Sequence, residues 1–484
     1  MNSIDLVIRG GTVVNASGSF VADVGVTDGK ILQLGGPMRG RTEIDAGGQL
    51  VLPGGVDPHV HLSAPRLLDG PSWVDDFFTG SQAAIAGGVT TVGNMTFQRE
   101  GESLDDALER DLSAAEATAA VDFLLHPVLT DPAVDRRGSL QDLASRGVRS
   151  VKLFLSNPSF DARIDEYMQA ITEAAHARML VLMHCEDGPL LRVIAARLEQ
   201  ERKTGVDQWS ASRPDYVEAF AIQRAKAIAQ TTGASIYAVH VSSSAALAVS
   251  ASAKRAGLPF YVETRPMYLH LTSERLHDDD GAKYVGAPPL REAADVAALW
   301  SALQDGTVDT VATDHAPWSL DAKLDPELTF KTARQGVADL ETSLPLLFSQ
   351  GVRSGRLSLT RFVELVSARP AQLFGLWPRK GLIAPGSDAD LAIWDPQHRY
   401  LITAERMYSR ADYSVYEGWE VTGCPVTVIA RGQIVMENRE VNADPGRGEW
   451  LPAGAPRADY GGTIDIVNGK SATATTRGQS ADSK

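Results

Sequence analysis

Cysteine is nearly absent from the chain. Only Cys185 and Cys424 occur in 484 residues. That excludes a disulfide framework and fits a reducing compartment. Long apolar runs are missing too, and none approaches the roughly eighteen residues of a membrane-spanning helix. The first residues, "MNSIDLVIRGGTVVNASG", lack a basic region ahead of an apolar one, so no leader segment is expected. Positive charge is also scarce, with 46 Lys and Arg against 61 Asp and Glu, a net charge of −15. A nucleic-acid partner would meet general repulsion. These deficits predict a cytoplasmic protein with no membrane and no nucleic-acid partner. What remains is ordinary globular usage, 44% hydrophobic and 22% charged, in a chain long enough for a large core.

Residues 1–52 read as short strands punctuated by glycine, such as "DLVIRGGTVVN" and "ADVGVTDGKILQLG". The same style returns over 380–450, in "GSDADLAIWDP" and "PVTVIARGQIVMENREV". Two β-rich ends around one αβ middle predict a small sheet domain built from both termini. Residues 451–484 form a C-terminal extension whose polar end is expected to be disordered. Within "RGEWLPAGAPRADY" the chain either braces a neighbouring subunit or wraps its own surface.

The middle, 53–379, alternates strand and helix patterns. Eight apolar strands are expected, from "VLPGGVDPHVHL" to "VDTVATDHAP". Between them lie segments whose apolar residues recur at three and four, such as "SLDDALERDLSAAEATA". Eight strands with intervening helices is the count of an α/β (β/α)₈ TIM barrel. Alternation alone also suits a doubly wound open sheet. No phosphate-binding glycine fingerprint follows the first of these strands, which favours the barrel.

The chemistry-bearing residues gather at strand C-termini. The first strand ends in His59 and His61, the fourth carries Lys152, the fifth ends in His184, the sixth in His240 and the eighth in Asp314. In a barrel these ends converge on one face. His59 and His61 lie two apart, on one side of their strand. Four imidazoles and one carboxylate suit Zn²⁺ and are too many for one tetrahedral ion with an open position, so two divalent ions are expected. The other histidines have plainer readings. His126 is a packing residue near the pocket, and His176 sits on a helix. His270, His277 and His398 fall in loops or near the C-terminal sheet, and His315 points away from the site.

Lys152 lies in "SVKLFLSNP", alternating with apolar residues. Two nearby cations and burial would favour its neutral amine. A neutral amine can add CO₂, and the resulting carbamate could bridge two metals.

These residues resemble a family. "GGVTTV", "VKLFL", "HCED", "VHVSS", "ETRPMYLHLT", "KYVGAPPLR", "ATDHAP" and "GLIAPGSDADLAIWD" are similar, nearly end to end, to the cyclic amidohydrolases of the amidohydrolase superfamily. Order and spacing are nearest to hydantoinases and dihydropyrimidinases. The resemblance implies a barrel flanked by a β-sandwich and two metals bridged by a carboxylated lysine and a hydroxide. His59, His61 and Asp314 match the ligands of the more buried metal, and His184 and His240 those of the other. Lys152 matches the bridging lysine, as N6-carboxylysine. Asp314 matches the residue that carries the proton to the leaving nitrogen. The implied reaction opens hydantoin or dihydropyrimidine-type rings to N-carbamoyl amino acids. Non-catalytic scaffolds of this fold lack part of the ligand set, which is complete here. A homotetramer or homodimer is implied by resemblance alone.

Substrate positions depart from the family. The tyrosine five residues after the bridging lysine is Asn157 here. The serine before "PPLR" is Ala287, and the asparagine that contacts substrate aligns with Gln335. Dihydroorotases carry an arginine where this chain has Ser63, which counts against a carboxylate-bearing substrate unless Arg66 or Arg265 compensates. Either arginine reads more simply as a loop or surface residue. "GVADLETSLPLL" is closer to L-hydantoinases, allantoinases and dihydroorotases. Allantoin is the alternative substrate, with Asn157, Gln335 and Arg66 as donors for its ureido arm.

Overall fold

The structure, a computed structural model, describes residues 4–63, 71–134 and 138–456. Eight parallel strands run in order round a barrel: β1 (Gly55–Val60), β2 (Val89–Phe97), β3 (Asp122–Val128), β4 (Ser150–Phe154), β5 (Leu180–His184), β6 (Ser235–Ala238), β7 (Phe260–Thr264) and β8 (Thr310–Val311). A bridge between Val60 and His315 joins the last strand to the first, where the His61 amide donates to the His315 carbonyl at 2.9 Å. The fold is thus a TIM barrel and not an open sheet. Helices such as Leu104–Thr118 and Asp215–Thr232 follow the strands.

Every residue of β5 is buried, as a barrel strand covered on both faces requires. Its alternation sorts the two sides. Leu180 and Leu182 join the barrel interior with Val56, Met95, Leu124 and Tyr237, while Val181 and Met183 pack outward with the helices. Lys152 lies beside Leu182 in register, and Phe154 beside His184. The side of β4 that carries the lysine is therefore the inward one.

Strands from both chain ends build two further sheets. Four strands between Ile4 and Asp45 form one. The other has seven, including Thr12–Asn15, Leu50–Pro53, Leu391–Leu401 and Glu420–Ala430. Ile8, Val26, Ile31, Val51, Ile393 and Ile429 share the core between them, which makes a β-sandwich. The chain enters and leaves the barrel at one point, where the Gly54 amide donates to the Asp390 carbonyl at 2.9 Å. Beside it Lys380, 1% exposed, reaches Asp390 at 2.5 Å, Asp122 at 2.6 Å and Asp388 at 3.0 Å. Asp122 opens β3, so this knot ties barrel to sandwich.

The C-terminal stretch wraps the chain's own barrel where it is described. Phe123 donates to the Glu449 carbonyl and accepts from the Leu451 amide, and Leu451 is fully buried at the barrel base. Residues 449–451 thus lie against the chain's own β3. The expected disordered end falls outside the described residues. Among those described, no helix is long and apolar enough to cross a membrane.

Candidate metal centre

Six side chains from the ends of five strands meet above the barrel. His59, His61, Lys152, His184, His240 and Asp314 line one cavity of about 230 Å³. Asp314 Oδ1 lies 2.8 Å from His61 Nε2 and 3.1 Å from His59 Nε2. His184 Nδ1 lies 3.0 Å from His240 Nε2. Both His240 (φ 42°) and Asp314 (φ 50°) hold left-handed backbone. That conformation costs non-glycine residues about 1–2 kcal/mol each, and it is found where side chains are aimed for function.

A layer of carboxylates sets the histidines. Glu263, fully buried on β7, takes His59 Nδ1 at 2.8 Å, which leaves Nε2 facing the cavity. Glu186 takes His184 Nε2 at 2.8 Å and is itself held by Arg213 at 2.6 Å. Such partners fix the tautomer and turn the free lone pair inward. Burial pushes His61 down to about 4 and His240 well below the ordinary histidine value. Both rings are then neutral, as ligation requires.

The donor set fits two divalent ions. One atom each from His59, His61 and Asp314 lies within 4.8 Å of the others, and the His184–His240 pair supplies a second group. Between them Lys152 is fully buried, and its Nζ has no hydrogen-bond partner among the described residues. An isolated buried ammonium is costly enough to lose its proton. Burial lowers this amine to about 8.

The sequence pattern of the amidohydrolase family matches residues 50–435. The chain belongs to this family. It is 37% identical to the D-hydantoinase of Ralstonia pickettii over 455 residues, which is 93% of this chain and 98% of that one. The dihydropyrimidinase of Brevibacillus agri NCHU1002 superposes with a TM-score of 0.87 at 34% identity, covering 94% of this chain and 99% of that one. The L-hydantoinase (dihydropyrimidinase) of Arthrobacter aurescens gives 0.83 at 30% identity, covering 92% and 99%.

In this amidohydrolase the expected substrate residues divide. Ala287 and Gln335 line the cavity. Asn157 does not: it caps the helix Pro158–Ala162, its side chain accepting from the Ser159 amide at 3.1 Å. Ser63 also lies outside the lining. Its hydroxyl donates to Asp111 at 2.6 Å and accepts from Asn94 at 2.8 Å. Arg66 falls outside the described residues. His315 turns away to Asp75 at 2.9 Å, and His126 bonds Ser150 and packs on Phe374.

Arg265 is no surface residue. It is fully buried, and Nη1 donates to Asp314 Oδ2 at 2.8 Å. Burial alone would raise the Asp314 carboxyl, but Arg265 and His59 outweigh it and hold it well below the usual range. The signal was present in "VETRP", where Glu263 and Arg265 are two apart and so share the inward side. Phe97, Phe154 and Trp73 complete the cavity wall, with Trp73 4.8 Å from His61 between ring centroids. Phe154 follows Lys152 by two and was legible in the same way. Trp73, in a loop, carried no such mark.

Proposed function

We propose that this amidohydrolase opens hydantoin or dihydropyrimidine-type rings by hydrolysing the cyclic amide, which yields N-carbamoyl amino acids. The supporting observation is Lys152, buried with no hydrogen-bond partner among the described residues beside four histidines and an aspartate, in a chain that aligns with hydantoinases over nearly its whole length. His59, His61 and Asp314 would hold one divalent ion, and His184 and His240 a second, with Zn²⁺ the best match to imidazole and carboxylate. Ions bound there supply hydroxide near neutral pH and polarise the ring carbonyl.

The chain's own groups do the rest. The neutral Lys152 amine would attack CO₂: an N–C bond forms, the nitrogen loses a proton to solvent, and the resulting carbamate would give the metal centre an anionic oxygen donor. Asp314, held ionised by Arg265, accepts the proton of the attacking water. It then delivers that proton to the ring nitrogen as the amide C–N bond breaks. Trp73, Phe97 and Phe154 give the cavity an apolar wall for ring substituents. The Gln335 side chain offers one donor group and one acceptor to the ureide edge. Allantoin is less well served. Of the donors considered for its ureido arm, Asn157 is engaged in a helix cap, and Gln335 is the one on the cavity wall among the described residues.

Ring-opening assays on hydantoin, substituted hydantoins, dihydrouracil, allantoin and dihydroorotate, with and without chelator, test the reading. Turnover of hydantoins or dihydrouracil that vanishes with the metal is expected. Activity confined to allantoin would overturn the substrate, and activity indifferent to complete metal removal the mechanism. Intact mass of active protein should exceed the chain's by one CO₂; its absence sinks the carbamate.

A further inference from the structure

Lys323 ends the short helix Leu320–Lys323 and is 1% exposed. No carboxylate pairs with it among the described residues. Its Nζ instead reaches three backbone carbonyls: Arg334 at 2.7 Å, Val285 at 2.8 Å and Gly336 at 3.0 Å. Burial pushes the amine well below a free lysine. Yet three acceptors need three donors, which only the ammonium has.

The three carbonyls come from the two loops that carry the cavity wall. Arg334 and Gly336 flank Gln335, and Val285 lies two residues before Ala287. The Gly336 amide also donates to the Val285 carbonyl at 3.0 Å, which joins the loops directly. Gly336 sits at φ 115°, and a Cβ there would run into the Ala316 carbonyl. The loops therefore have little freedom to settle elsewhere while the clamp holds. The Gln335 side chain stays exposed and makes no hydrogen bond of its own among the described residues.

We propose that Lys323 is a positioning residue for substrate recognition. It fixes the Ala287–Gln335 wall at the distance from the metal centre that a planar cyclic ureide requires. It touches neither substrate nor metal and acts through Gln335. This inference rests on the ring-opening function proposed above.

The test measures KM, kcat and bound metal for Lys323→Met, Gln335→Ala and the double variant, with the hydantoin that the wild type turns over best. For Lys323→Met, KM should rise about tenfold, with kcat within about threefold and metal content unchanged; tenfold is about 1.4 kcal/mol of ground-state binding. In the Gln335→Ala background the same change should have little further effect, because the clamp acts through that side chain. A KM within twofold of wild type, a fully additive double variant or a loss of metal would each overturn the proposal. If Lys323→Met does not fold, Lys323→Arg carries the same test. A planar guanidinium keeps the charge but cannot serve three carbonyls on three sides. A wild type that opens no cyclic amide would refute the underlying function instead, before any variant is compared.

Discussion

Asp314 uses its two oxygens differently. Oδ1 faces His59 and His61, and Oδ2 is taken by Arg265. An amide in its place keeps the size but loses the charge and the capacity to accept a proton. Asp314→Asn is expected to lower kcat about 10²–10⁴-fold, in the range set by general acid–base groups. Steady-state kinetics alongside metal analysis checks this, and near-native turnover would remove Asp314 from the proton path. Arg265 shows how far one residue can be read. Its place on the inward side of β7 follows from simple alternation. Its complete burial does not, because a buried arginine depends on a partner 49 positions away in sequence.

The strands and helices were the most legible part of the molecule. All eight barrel strands lie where apolar runs predicted them, and the candidate ligands gather toward one end of the barrel because a parallel barrel sends every strand the same way. Asn157 carries a second signal at this scale. "SNPSF" carries a helix-start signal, an asparagine followed by proline at the first helical position, and the structure uses it as one. Family position had suggested a substrate contact. Asn157→Ala should therefore cost about 1 kcal/mol of stability, as the loss of an N-cap does, and leave KM within about twofold. Urea denaturation and kinetics on the same preparation check both. A large rise in KM with unchanged stability would return Asn157 to the substrate. Lys323 lay beyond sequence reading altogether. Three carbonyls leave no trace in side-chain pattern.

Over the whole molecule, two buried ionisable groups bear on stability. Lys380 faces Asp122, Asp388 and Asp390, of which Asp122 also pairs with Arg431 and Asp388 with Lys30 and Arg379. Lys380→Met would leave Asp390 without a cationic side chain among the described residues, and breaking such a buried pair costs on the order of 3–5 kcal/mol. A drop in the urea midpoint is expected, and an unchanged midpoint would contradict it. Glu341 lies under the loop that carries Tyr408, whose amide donates to it at 2.7 Å. Burial, with Asp75 adding to it, pushes its carboxyl up to about 7. Between the free glutamate value and pH 7 the folded protein keeps a proton that the unfolded chain releases. Stability therefore falls as pH rises through that window, by up to about 3 kcal/mol. Glu341→Gln keeps an acceptor for Tyr408 and has no proton to lose. Its stability should decline less than wild type between pH 5 and pH 8. Equal declines in urea titrations would show that Glu341 does not contribute.

The meeting of Gly54 with Asp390 has a consequence for biosynthesis. Leu50–Pro53 finds its neighbour in Leu391–Leu401, more than three hundred residues later. At ~5–20 residues per second, a ribosome needs on the order of tens of seconds to supply it. For that time the strand Leu50–Pro53 has one edge open. The barrel ladder can close meanwhile, since its eight strands follow one another in sequence between Gly55 and Val311, so a strand made before the barrel is covered after it.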